Sequence, residues 1–175
     1  MKTLFSSLSH DLRNDPFYSG RLKLIKVFLC SIGFRATAIY RVSHYLYLKK
    51  RLTSAYYFQR RNLRLYGLDV APSASLGGGL TLLHTVGIVI GAGVVVGKNC
   101  TILHGVTLGV KNISRPAKAS DFPQIGSNVT LAAYVSIFGK IVIQDNQFIS
   151  AHTIIVEESQ KKEQAMRAGL STNEV

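Results

Sequence analysis

From Val70 to Ile155 an aliphatic residue or Cys returns every six positions. The series runs Val70, Leu76, Leu82, Ile88, Val94, Cys100 and Val106, then resumes at Ile125, Leu131, Ile137, Ile143, Ile149 and Ile155. A period of six suits neither an amphipathic helix nor a half-buried alternating strand. It suits a left-handed parallel β-helix, in which three short strands make one triangular coil and each strand turns an aliphatic anchor into the shaft. One coil takes about eighteen residues, and stacked coils bury each other's anchors. The break at 111–124 is polar, carries Pro116 and Pro123, and reads as a loop leaving one corner. Three regions follow: a helical cap over 1–66, a β-helix over 67–156 and a polar tail over 157–175.

Charge separates the first two regions. Residues 1–66 hold thirteen Lys/Arg against Asp11 and Asp15, a net +11 of the chain's +12. From Lys23 to Tyr66 the sequence reads as two or three helices, with Asn14-Asp15-Pro16 as a start signal. Apolar Phe34, Ile39, Val42 and Leu46 keep helical spacing among basic residues. This surface is either a solvated basic face or a contact for an anionic partner, such as an anionic membrane or a lipid-linked sugar phosphate. No nucleic-acid-binding motif accompanies the charge, so nucleic acid is not expected. The run Leu22–Phe34 is too short and too charged to span a bilayer. No apolar secretory segment opens the sequence, and Cys30 and Cys100 do not form a disulfide framework. A cytoplasmic location, extending to the inner face of the membrane, is the expectation.

Within 67–91, GLDVAPSASLGGGLTLLHTVGIVIG, Asp69 and His84 lie fifteen residues apart, near one coil. A carboxylate one rung away orients an imidazole and leaves its second nitrogen basic, which suits deprotonation of a hydroxyl. A corner histidine with no chemical role is the bland alternative. His104, twenty residues beyond His84, is either a second polar group of the same pocket or a support for the loop root. His10 and His44 show no partner in the sequence, and His152 reads as peripheral. No H-x-x-x-x-H pair occurs, so no metal site is expected.

The stretch resembles the active-site region of the hexapeptide-repeat acyltransferases, and most closely the serine acetyltransferase group. That group reads V-D-I-H-P-A-A-x-I-G-x-G-x-x-L-D-H-A-T-G-I-V-I-G and then S-I-L-Q-x-V-T-L-G, where this chain has TILHGVTLG over 101–109. Upstream, GFRATAIYRVSHYL over 33–46 is similar to the group's last helix before the β-helix. The resemblance implies an acetyl-CoA-dependent O-acetyltransferase, with His84 as general base and Asp69 as its orienting acid. It implies a CoA arm along backbone at Gly109, Val110, Ala133 and Ala151, and homotrimers with shared sites.

The departures point to a different acceptor. The group has Asp before its catalytic His and Arg-His before the Pro that reopens the helix. Here those positions hold Leu83 and Asp121-Phe122. A serine zwitterion loses charge-assisted contacts worth about 1.5–3 kcal/mol each, whereas Leu83 and Phe122 present apolar surface to a sugar ring. The pattern HGVTLG also resembles O-acetyltransferases of exopolysaccharide and lipopolysaccharide synthesis. A sugar or glycan hydroxyl is therefore the expected acceptor, with His104, Leu83, Asp121 and Phe122 lining its pocket. Serine O-acetylation and a non-catalytic trimeric scaffold are the alternatives. The tail after Val156 lacks the group's closing motif, reads as a short helix over 157–167, and weakens the expected CoA contacts.

Overall fold

The computed structural model describes residues 2–19, 23–112 and 116–157. The helix expected over 157–167 lies outside the described residues but for its first position. Four helices precede the repeats: α1 (Lys2–Asn14), α2 (Lys23–Cys30), α3 (Ile32–Leu48) and α4 (Leu52–Tyr66). Asn14-Asp15-Pro16 therefore closes a helix rather than opening one. Pro16 follows the end of α1, where a turn leads on toward α2.

Thirteen short strands then wind into a parallel β-helix with three faces. The first face stacks β1 (Leu68–Val70), β4 (Ile88–Ile90), β7 (Thr107–Gly109), β10 (Ser136–Phe138) and β13 (Ile154–Val156). The second stacks β2 (Ser75–Leu76), β5 (Val95–Val96), β8 (Gln124–Ile125) and β11 (Val142–Ile143). The third stacks β3 (Thr81–Leu83), β6 (Thr101–Leu103), β9 (Thr130–Leu131) and β12 (Phe148–Ile149). The fold is the left-handed β-helix with an N-terminal helical cap that the sequence implies. Eleven of the thirteen anchors are buried, and Ile149 and Ile155 in the last coil are partly covered. Each buried Ile, Leu or Val stabilises the shaft by about 1.5–3 kcal/mol.

The coils are not all eighteen residues long. Leu68 pairs with Ile88 and Thr81 with Thr101, an offset of twenty. Val89 pairs with Thr107, and Ser136 with Ile154, an offset of eighteen. The first coil thus carries two extra residues, at the corner 84–87. Further on, Thr107 pairs with Ser136, and the added length is the loop between β7 and β8.

Corner chemistry holds the coils in register. Between the second and third faces Asn99, Asn128 and Asn146 all take left-handed backbone, with φ of 57°, 57° and 61°. Asn tolerates that region because its short side chain bonds locally. Here the side chains bond one another up the corner, Asn99 Nδ2 to Asn128 Oδ1 at 3.2 Å and Asn128 Nδ2 to Asn146 Oδ1 at 3.0 Å. Asn14 at the end of α1 completes the ladder, donating to Gly79 O at 3.0 Å and Asn99 Oδ1 at 3.2 Å.

A buried ion pair fastens the cap to the first coil. Asp11 and Arg41 are 2% and 4% exposed and meet at 2.9 Å. Asp11 Oδ1 also accepts from Gly79 N at 2.8 Å and Leu80 N at 2.9 Å. Arg41 donates to the Leu76 and Gly77 carbonyls. Beside it the Tyr40 hydroxyl donates to Ala74 O at 2.7 Å and accepts from Leu76 N at 3.2 Å. Burial pushes Tyr40 up to about 12 from 10.0, against a smaller lowering by Arg41. Its neutral form is the one the fold holds. That stabilisation is full below pH 10 and is lost as pH rises toward 12.

Phe122 differs from its expected role. Its ring lies over Gly91 and Gly93 at the corner between the first and second faces, and it is 9% exposed. It anchors the returning loop and presents no open apolar face. A Cβ on Gly93 would stand 2.3 Å from Phe122 Cδ2. Gly93→Ala is accordingly expected to lower the melting temperature, by an amount matching the 1–3 kcal/mol typical of overpacking. Thermal unfolding followed by circular dichroism checks this, and an unchanged midpoint would remove the packing role.

Candidate functional site

His84 follows β3 directly and takes left-handed backbone, φ 63°. The same conformation recurs up this corner at Gly105, Tyr134 and His152, with φ of 69°, 59° and 60°, so it belongs to the turn of each coil. Its side chain is exposed, unlike that of the buried Thr85.

A cleft of about 740 Å³ opens there, between the helical cap and the β-helix. It is lined by Asp15, Ser31, Arg35, Tyr66, Leu83 and His84 among others. Gly33 forms the seam: a Cβ there would stand 2.1 Å from Leu82 O, so only glycine lets α3 sit against the strand that ends at Leu83. Asp15 accepts from Phe17 N at 2.9 Å and Ser31 Oγ at 2.5 Å, and Ser31 caps α3 by accepting from Phe34 N at 3.0 Å. Thr85 donates to Tyr66 O at 2.6 Å and ties the corner to the end of α4.

Asp69 and His84 are not hydrogen-bonded among the described residues. Asp69 stands in register with Val89, five residues beyond His84. Its carboxylate accepts from Gln59 Nε2 of α4 at 2.6 Å. The ring next to His84 is that of His104, twenty residues on, with centroids 6.0 Å apart. Tyr134 stands 5.0 Å from His104, and His152 stacks on Tyr134 at 5.1 Å. Four rings thus climb one corner. His104 Nδ1 is buried without a hydrogen-bond partner among the described residues. Ala133 and Ala151 lie at this same corner, where Ala133 O accepts from His152 N at 2.9 Å. His44, isolated in the sequence, stacks on Tyr40 and bonds Pro72 O at 2.8 Å.

The other site residues lie at a different corner. Gly109 ends β7 and Val110 packs on the core at the root of the loop. Asp121 closes a short 3₁₀ turn (Ala119–Asp121), where it accepts from Lys118 N at 2.8 Å. One chain therefore does not gather Asp121 and Phe122 with His84: the whole first face separates the two corners. Asp15, Arg35 and Gln59 were not picked out as site residues by sequence reasoning. The signal available was the Asp-Pro pair, which has a second use as a carboxylate fixed by a turn. Among the described residues no group of three or more His, Cys, Asp or Glu could hold a metal ion.

No family model matches the chain. Among curated proteins it is 38% identical to a serine acetyltransferase of Buchnera aphidicola over 125 residues, covering 71% of this chain and 47% of that protein. It is 34% identical to serine acetyltransferase 2 of Arabidopsis thaliana over 164 residues, covering 90% of this chain and 48% of that protein. Among solved structures, the serine acetyltransferase of Neisseria gonorrhoeae superposes with a TM-score of 0.78 at 34% identity, covering 89% of this chain and 60% of that one. That of Brucella abortus in complex with coenzyme A gives 0.76 at 33%, covering 88% and 62%. The chain spans about half the length of the curated relatives it matches. It belongs to the hexapeptide-repeat acyltransferases of the left-handed β-helix type and is serine acetyltransferase-like.

Proposed function

We propose that this protein transfers an acetyl group from acetyl-CoA to the hydroxyl of L-serine. The observation that carries the reading is one cleft lined by both the exposed His84 and Asp15, whose carboxylate is held by Phe17 N and Ser31 Oγ. An ammonium group bonds well to such a carboxylate, so the cap replaces a charge that Leu83 removed from the β-helix side. The kinship with serine acetyltransferases supports the same acceptor.

In this reading His84 takes the proton as the hydroxyl oxygen attacks the thioester carbonyl. A C–O bond forms, the C–S bond breaks, and the proton passes on to the departing CoA thiolate. No acyl-enzyme is needed. The protein's contribution is alignment and a correctly placed base. The buried, unpartnered Nδ1 of His104 places a polar atom one ring from His84. Asp69, held by Gln59, contributes charge near the corner rather than a hydrogen bond to the ring. Gly109, Val110, Ala133 and Ala151 lie at two corners of one chain, so a CoA arm along all four requires neighbouring subunits to bring those corners together, as a homotrimer with shared sites would.

A sugar acceptor is the second reading, favoured by the 36% exposed, uncharged Leu83 on the cleft wall. Thiol release from acetyl-CoA, followed with L-serine and with a panel of neutral sugars, separates the two. Serine-dependent release supports the first, and release with sugars alone overturns it.

The cap has a second expected contact. Leu24, Ile25, Phe28 and Leu29 stand exposed on one face of α2, with Lys26 also exposed beside them. The cap's net charge of +11 disfavours a second copy as the cover and favours an anionic lipid surface. No helix among the described residues is long and apolar enough to cross a membrane, so the contact is peripheral. Co-sedimentation with phosphatidylserine vesicles should be strong at low salt and fall steeply with added salt. Equal sedimentation with neutral vesicles would contradict it.

A further inference from the structure

The structure assigns to Arg35 the binding of the acceptor's carboxylate, a deepening that rests on the serine reading above. Arg35 lines the same cleft as His84 and Asp15. Its place is fixed from two sides. Gly33 seats α3 on the backbone of Leu82, and the guanidinium lies 5.8 Å from the centroid of the Tyr66 ring. Tyr66 O in turn holds Thr85, the residue next to His84. The guanidinium is thus carried to the corner that presents the base.

Arg35 Nε is buried and meets no hydrogen-bond partner among the described residues. Neither does any carboxylate pair with this arginine among them; the buried Asp11 pairs with Arg41 instead. Asp15, on the same cleft wall, accepts one bond on each oxygen, from Phe17 N and Ser31 Oγ, and keeps lone pairs for a further donor. Arg35 is only half-buried and lines the cleft, so an anion that enters there gains a charge-assisted pair with it. A carboxylate fits best, because it meets the planar guanidinium fork in two parallel hydrogen bonds. With Asp15 for the ammonium, Arg35 for the carboxylate and His84 for the hydroxyl, all three polar groups of an amino-acid alcohol find a partner in one cleft. These are the charges that Leu83 and Asp121-Phe122 withhold.

The test compares L-serine with L-serinamide, which lacks the carboxylate. The wild-type protein should prefer L-serine by kcat/KM. Arg35→Gln should lower that preference about 10- to 100-fold, the range for a lost charge-assisted contact, and leave the KM for acetyl-CoA unchanged. Arg35→Lys should restore part of it. An Arg35→Gln protein that keeps the full preference overturns the assignment. Should wild type turn over neither compound, the serine reading fails by itself. Calorimetric titration then decides Arg35 separately: tighter binding of L-serine than L-serinamide, lost in Arg35→Gln, supports the carboxylate contact, and equal binding of the two by wild type overturns it.

Discussion

His84→Asn is expected to reduce acetyl transfer by roughly 10²- to 10⁴-fold, the usual worth of a positioned general base. Asn is the informative replacement. His84 stands at φ 63°, where alanine would strain the backbone and asparagine is tolerated. The corner then keeps its shape while the base is removed. The loss should fall on kcat with little change in either KM, because the imidazole acts on the proton in flight rather than on ground-state binding. Steady-state thiol release measures this, with the circular dichroism melt as the control for folding. A variant with near-normal kcat and a normal melt would remove His84 from the chemistry.

The second large effect concerns stability. Asp11→Ala or Arg41→Ala should each destabilise the protein by about 3–5 kcal/mol, since each leaves the other charge buried without its partner. Asp11 also leaves Gly79 N and Leu80 N without their acceptor, and Arg41 leaves two carbonyls of the first coil without their donor. The double variant should cost clearly less than the sum of the two, because both single changes break the same contact. Denaturant unfolding gives all three values. Because the pair joins α1 and α3 to the corner over Leu76–Leu80, loss of either partner should also loosen the cleft roof. Additive costs would mean that the two residues act independently.

Why the shaft was legible and the dyad was not follows from one property of the repeat. The two strands that flank this corner on the first face, β1 and β4, each turn two side chains inward, Leu68 with Val70 and Ile88 with Ile90. A two-residue insertion therefore re-enters the aliphatic series without a break. The step from Leu82 to Ile88 keeps the period of six, yet the true counterpart of Val70 one coil on is Ile90. The extra residues at the His84 corner are invisible to periodicity. They set His104 one coil from His84, while the Asp69 carboxylate meets Gln59 of α4, a contact that no repeat encodes.

The loop shows a second limit. Phe122 read as open apolar surface, but the pair Gly91 and Gly93 leaves a flat seat that its ring fills. Glycines one coil away were the signal, and only the coil offset says which glycines those are. The cap was harder still. Asp11 with Arg41 and Asp15 with Ser31 are contacts between helices, and nothing in local spacing announces them. In the proposed reading Asp15 and Arg35 supply the charges missing from the β-helix positions, and their roles depend on how α3 seats on the first coil.

The most direct test is the rate of CoA thiol release from acetyl-CoA by wild-type protein, with and without L-serine. Saturable, serine-dependent release is the predicted result. Release that ignores serine, or none at all while CoA still binds, would contradict the account at its centre.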